Sequence, residues 1–462
     1  MRSVHHPAPF TTRRRVALRH LFTEVPPRGR SPRGIGEGFP VRRGALVDVE
    51  DARTIGARAR SIRRRRGLSL DVVAGLAGIR RQYLSMLELG QRGFNRRGLI
   101  EDLANALGCS VVDLTGQPYL PPDRTSAEAL AALRGIREVV YDLAVDDAPE
   151  VQSRPVEQLA VAVRCANEFR DAGRYGPAGR GLGTVLAELH AHTAAGGSDV
   201  RRAALPVLVE ACHVAAAVAE VVGHEDLALA CAVREAEAAE ALGDDLALAS
   251  LSAYSLGQTW LKVGARRKAA TTLDNAVQAS SSTDPDAADT AAAEMAGMVQ
   301  LGAALLGART RDRDAVTTHL SEAASLAERT GERNTQLQHF GPVNVALWKV
   351  ALAVDLGDGP AAADAVEADP IPVELLGSPL RSANLSLDLA RGWAQAGGDR
   401  DAKAIRALDA ADRTAPAMVR NHPLARELLD DLYGRARRPL WELDSLRNRF
   451  GVGGQGPRSV DN

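Results

Sequence analysis

Aromatic residues are scarce: 4 Trp, 6 Tyr and 7 Phe amount to 4% of the 462 positions. Sandwiches and barrels build their strands from aromatic and β-branched residues, whereas the Ala and Leu that abound here favour close-packed helices. Cysteine is scarce as well. Cys109, Cys165, Cys212 and Cys231 stand in no CxxC spacing, which argues against a disulfide framework or a zinc ribbon and fits a reducing cytoplasm. Nowhere do 18 uncharged apolar residues run together, so no membrane span is expected. What is present is 45% apolar and 25% charged residues, enough to bury real cores in two to four domains.

A formal net charge of −1 hides an asymmetry. Residues 1–118 hold 22 Lys and Arg against 10 Asp and Glu, and the remainder holds 35 against 48. One end is suited to a polyanion and the other is not. Residues 1–50 mix Arg, Pro and Gly without periodicity, as in Pro26-Pro27-Arg28-Gly29-Arg30, and read as a disordered basic arm. That arm is an additional nucleic-acid contact, an inert extension, or a segment upstream of a true start near Val47. No apolar stretch follows its arginines, which argues against a secretory signal.

Residues 51–118 carry five short helical signals. The first runs from about Ile55 to Arg66 and stops at Gly67. Ser69 caps a second, Leu70–Ala77, with Asp71 in the first turn, where the helix dipole favours an anion. A third spans Arg81–Leu89, with Leu84 and Leu87 inward and Gly90 just past its end. A fourth, Leu99–Leu107, has the apolar set Leu99, Leu103, Ala104 and Leu107. Ser110 caps a last turn with Val111 and Leu114, and Pro118, Pro121 and Pro122 break the chain. Residues 119–155 read as a linker and helix, 156–450 as a helical domain, and 451–462 as a disordered tail.

The long domain repeats amphipathic helices at a 3.6-residue period. Gly257 is followed by Trp260 at +3, Ala269 at +12, Leu273 at +16 and Ala276 at +19. Small residues at the close approaches and large ones in the groove between them are the spacing of a tetratricopeptide helix pair. Anchors at 257, 302, 350 and 390 lie 45, 48 and 40 residues apart, longer than a regular repeat. The expectation is an all-α chain: a five-helix head, then an α-solenoid of about six degenerate tetratricopeptide-like pairs, with an irregular bundle as the alternative.

The stretch from Leu68 to Gly90, with Ala74, Gly78, Ile79, Leu84, Leu87, Glu88 and Gly90 at their marks, resembles the helix-turn-helix of the Cro/C1-type (XRE) family. The closing pattern Leu103-Ala104-Asn105-Ala106-Leu107-Gly108-Cys109-Ser110 agrees. The resemblance implies a second helix held proud of the surface, its first residues entering the major groove. Carried over by position, Arg81, Gln82 and Met86 would read bases: Arg suits guanine, Gln adenine, and Met a thymine methyl. Arg80, Ser85, Arg92, Arg96 and Arg97 would contact phosphates and so position without specifying. Two positions depart from the family: Leu70 stands where Gln often holds a phosphate, and Arg80 where Ser or Thr commonly caps. The run Arg63–Arg66 reads either as phosphate contacts or as cations favoured at a helix C-terminus.

No catalytic constellation accompanies this head, so no enzyme, cofactor or metal is expected. Residues 176–183 are glycine-rich but match neither GxGxxG nor GxxxxGK[ST], and read as a loop between helices. His190 and His192 are two apart, wrong for one helical face, and Cys212-His213 lack an acidic partner at a useful spacing. The repeats instead suggest a groove, with Tyr254, Gln258, Asn344, Asn384 and Arg391 at its lining slots. The two asparagines would hold the backbone of an extended peptide by amide hydrogen bonds, unless they merely line a solvated surface. Head and tail together resemble in architecture the peptide-responsive regulators of Gram-positive bacteria. The expected partners are double-stranded DNA, a second copy of the chain, and a peptide or protein ligand; no membrane. A scaffold with a vestigial head is the alternative.

Overall fold

Helix punctuation builds the head. The computed structural model describes residues 54–281, 283 and 290–452. The arm assigned to 1–50 and most of the tail lie outside them. Helices α1 (Ile55–Arg65), α2 (Leu70–Leu76), α3 (Arg81–Glu88), α4 (Arg97–Leu107) and α5 (Val111–Thr115) form the helix-turn-helix region. Thr54 and Ser69 accept the Ala57 and Val72 amides at the starts of α1 and α2, and Ser110 forms a reciprocal capping box with Asp113 at α5, each satisfying amides that the first turn leaves orphaned. Arg80 precedes α3 without capping it through its side chain.

The core of the head is Leu84, Leu87, Phe94, Leu99, Ile100, Leu103, Leu107 and Leu114, all buried, and Leu424 from the far end of the chain joins it. Helix α1 crosses α3 so closely that a Cβ at Gly56 would lie 2.0 Å from the Leu87 carbonyl oxygen. Backbone cannot yield as a flexible side chain can. Gly56→Ala should therefore destabilise the head by about 1–3 kcal/mol, read as an earlier loss of amide protection in α1 and α3 than in the repeats; unchanged protection would show that the crossing relaxes.

Helix α6 (Arg124–Asp142) leads into α7 (Val156–Asp171), α8 (Tyr175–Gly179) and α9 (Leu182–Ala195). The glycine-rich segment expected as a loop thus contains a one-turn helix, and its glycines serve packing: a Cβ at Gly183 would meet the Gly135 backbone of α6 at 2.4 Å. Five consecutive helix pairs follow: α10 (Ser198–Val221) with α11 (Glu225–Leu242), α12 (Leu246–Lys262) with α13 (Arg266–Ser280), α14 (Ala291–Thr310) with α15 (Arg313–Thr330), α16 (Pro342–Leu356) with α17 (Gly359–Ala368), and α18 (Pro379–Ala396) with α19 (Asp401–Thr414). Helices α20 (Pro416–Asn421), α21 (Pro423–Arg435) and α22 (Trp441–Arg449) close the array. Among the described residues there is no strand.

The frame read at Gly257 is a contact in space. A Cβ there would lie 2.7 Å from Leu273 Cδ2, and one at Gly302 on the next pair 3.1 Å from the same methyl. Helices α10 and α14 are long and apolar enough to cross a membrane by length and composition, and both are largely buried within the array. They are core helices of the repeat, most of whose apolar surface neighbouring helices cover.

Candidate nucleic-acid interface

Helix α3 is anchored from beneath and open at its start. Leu84, Leu87 and Glu88 are buried, and Glu88 accepts two hydrogen bonds from Arg63 on α1, at 2.6 and 2.7 Å. Arg63 also donates to the Leu68 carbonyl at 3.0 Å. This forked pair leaves both partners satisfied away from water and fixes the pitch of α3 on α1. Arg63 is therefore a structural member of the arginine run, Arg66 caps the Leu107 carbonyl, and Arg64 and Arg65 are exposed.

Arg80, Arg81 and Gln82 are exposed at the opening of α3, while Ser85 and Met86 are half-buried along the same helix. Arg81 Nε lies 3.5 Å from Asp71 Oδ2 on α2, with both side chains about two-thirds open to solvent. An ion pair so exposed stabilises little and yields easily to a phosphate or a base.

The arginines after α3 divide. Arg92 is exposed and Arg96 half-buried. Arg97, expected to face phosphate, is instead buried: its Nη2 donates to Glu225 Oε1 and to the Lys262 carbonyl, each at 2.9 Å. The reason is that α4 docks along the row of turns within the helix pairs. Arg266 donates to Glu101 at 2.9 Å, Asp102 at 2.7 Å and the Gly98 carbonyl at 3.0 Å. Arg311 reaches Asp102 at 3.0 Å.

Arg391 differs from expectation in the same way. It does not line a ligand groove but donates to Asp355 at 2.6 Å, to Asp388 at 2.8 Å and to the Asn95 carbonyl of the head at 3.1 Å. Arg309 lies 3.4 Å from the other Asp355 oxygen. Burial alone would raise the Asp355 carboxyl, yet Arg309 and Arg391 hold it below its ordinary range. Burial prevails at Asp388, pushed up to about 6. His422, buried among Arg391, Arg97, Lys262 and Arg309, is driven down to about 3 and stays neutral.

Glu427 on α21 faces the head with its Oε1 3.4 Å from the Phe94 amide. Burial raises this carboxyl to about 7; the Phe94 amide opposes the rise and Asp430 and Asp431 add to it. The folded chain thus binds a proton more tightly than the unfolded one, whose carboxyl titrates near 4.5. The stabilisation is present below pH 4.5 and is lost as pH rises through 7. Glu427→Gln should remove this loss: its advantage over wild type should grow from near zero at pH 4.5 to about 1–3 kcal/mol at pH 8. Paired thermal melts across that range read it, because Asp388 and His422 are common to both chains. Parallel curves would refute it.

The remaining groove residues differ in their surroundings. Tyr254 is buried against Gly302, Gln258 is half-buried with its Nε2 unpartnered, and Asn384 is half-buried on α18. Asn344 is fully buried, and its Nδ2 donates to the Gln338 carbonyl of its own chain at 3.2 Å. The sequence offered His213 no acidic partner, but α11 supplies one: Glu235, fully buried, lies 3.4 Å from His213 Nδ1, which also contacts Ser255 Oγ at 2.8 Å. Burial raises the Glu235 carboxyl against the pull of His213. Among the described residues no group of three or more His, Cys, Asp and Glu side chains is placed to hold a metal ion.

Residues 54–115 match a family model described as a helix-turn-helix domain, and the resemblance to the Cro/C1-type family holds over this head. A comparison with curated proteins found no match. A solved structure similar to the chain is that of PlcR from Bacillus thuringiensis in complex with the peptide PapR7 and DNA. The two are 12% identical, the match covers 65% of this chain and 99% of that one, and the TM-score is 0.27.

Proposed function

We propose that the chain is a sequence-specific DNA-binding regulator of transcription that works as a homodimer in the bacterial cytoplasm, at the nucleoid. The observation that carries this reading is the opening of α3: Arg80, Arg81 and Gln82 stand exposed on a helix whose inner face is locked to α1. Such a helix enters a major groove without reorganising the head. Arg81, Gln82 and Met86 read bases, and Arg80, Ser85, Arg92 and Arg96 position the backbone. One head spans few base pairs, so two heads on half-sites about one helical turn apart supply the affinity.

The repeat domain holds the two heads together and takes a peptide or protein ligand. A cavity of about 580 Å³, bordered by Val161, Arg164, Glu168, Glu210, Leu248 and Gln336, is of the size that binding sites have. Selection of duplexes from a random pool tests the DNA reading. Wild type should enrich a two-fold symmetric site and lose affinity steeply with salt; an unenriched pool would favour a scaffold with a vestigial head.

A further inference from the structure

Loops ordinarily run over a protein's surface, where water satisfies their backbone. The loop between α15 and α16 does otherwise: Gln338, His339 and Phe340 are 3%, 4% and 0% exposed. It turns inward and meets side chains from five separate helices. Arg170 on α7 donates to the Leu337 carbonyl at 2.9 Å. The Gln338 carbonyl accepts from Asn344 on α16 at 3.2 Å and from Arg381 on α18 at 2.8 Å. Gln338 Nε2 donates to His213 on α10 at 3.1 Å, and His339 Nε2 to Asp171, the last residue of α7, at 2.9 Å. Glu294 on α14 accepts from the Thr335 amide at 3.1 Å and from its hydroxyl at 2.6 Å.

Two further features mark this as docking. Leu337 and His339 have φ of 52° and 53°, a left-handed conformation that side-chain-bearing residues rarely adopt unless their surroundings impose it. The Phe340 ring fills a recess that exists because position 297 lacks a side chain: a Cβ at Gly297 would lie 1.9 Å from Phe340 Cζ. Backbone carbonyls captured by amide and guanidinium donors, with an aromatic ring set in a recess, are how a groove recognises a peptide; here the segment is a turn whose last three residues are buried while Thr335 stays exposed.

We propose that residues 335–340, Thr-Gln-Leu-Gln-His-Phe, are a tethered ligand of the repeat domain's inner face, and that an external peptide of amide–imidazole–aromatic character enters by displacing them. This rests on reading the inner face as a peptide groove. The cavity beside the segment shares Gln336 with it and is the place where a competitor first lands. A tethered occupant has a high effective concentration, so the wild-type groove is closed to weak ligands until the segment lifts.

The test needs neither DNA nor a natural signal, so it can fail or succeed independently of the regulator reading. Residues 335–339 are replaced by Gly and Ser, with Phe340→Ala, and the synthetic peptide Thr-Gln-Leu-Gln-His-Phe is titrated into this variant and into wild type. The variant should bind it at least tenfold more tightly than wild type. Equal binding by both, or none by a variant whose helical circular dichroism matches wild type, would overturn the proposal. Hydrogen exchange on the wild-type chain decides the matter if that variant does not fold. Amides of 335–340 should exchange at least tenfold faster than those of α14 and α16, and Gly297→Ala should widen the gap. Exchange of the segment only together with those helices would make it ordinary core and sink the inference.

Discussion

Asp355→Ala is expected to be the most disruptive single substitution at the junction of head and repeats, costing about 3–5 kcal/mol. Asp355 is the carboxylate between two buried guanidiniums, 3.4 Å from Arg309 and 2.6 Å from Arg391. Removing it leaves both cations away from water. Arg391 then has Asp388, at 2.8 Å, and Arg309 has the more distant Glu101, at 3.7 Å, so two buried cations are left with one fewer negative charge between them. The readout is a lower melting temperature together with faster amide exchange in α4, since Arg391 also holds the Asn95 carbonyl just before that helix. Asp355→Asn, which keeps an acceptor but not the charge, should fall between the two chains. A loss below about 1 kcal/mol would mean that water reaches the cluster and screens it.

The second large effect is on sequence preference. Arg81→Ala and Gln82→Ala should each relax one or two positions of the selected site, lowering discrimination there by about 1–3 kcal/mol, or roughly 10- to 100-fold. Both side chains are exposed, so the melting temperature should hardly move, which separates lost reading from lost folding. The arginines beyond α3 give an internal control. Arg92→Ala should weaken binding to all sequences and lower the salt slope by about 1. Arg97→Ala should leave that slope unchanged and instead weaken docking, because its partners are Glu225 and the Lys262 carbonyl. Equal salt slopes for Arg92→Ala and wild type would remove Arg92 from the phosphate contacts.

That contrast shows how far local sequence reaches. The start of α3 at Arg81, the caps at Ser69 and Ser110, and the turn glycines at 78, 90 and 108 were legible because each depends on a few neighbouring residues. Most of the inward set of the head was legible too, since burial follows the helical period, but Phe94 lies between α3 and α4, where no period reaches it. Charge by itself was a poor guide to exposure. Arg63, Arg97 and Arg391 carry the same group as Arg81, yet each is buried against a carboxylate that lies 25, 128 or 36 positions away. The Gly257 frame located a helix pair, but it did not show that Asn344 would be taken up by the Gln338 carbonyl of the loop before its own helix.

The amino-acid order alone was enough to specify the helices of the head and the repeats, because caps, turn glycines and apolar periodicity act over a few residues, and the resemblance of the head to the Cro/C1-type family rests on that same local spacing. Which arginines meet solvent, which acid meets His213, and what surrounds the loop before α16 were settled by how the helices pack on one another. Those partners lie up to hundreds of positions apart, and no spacing rule encodes an approach that exists only once the helices have packed.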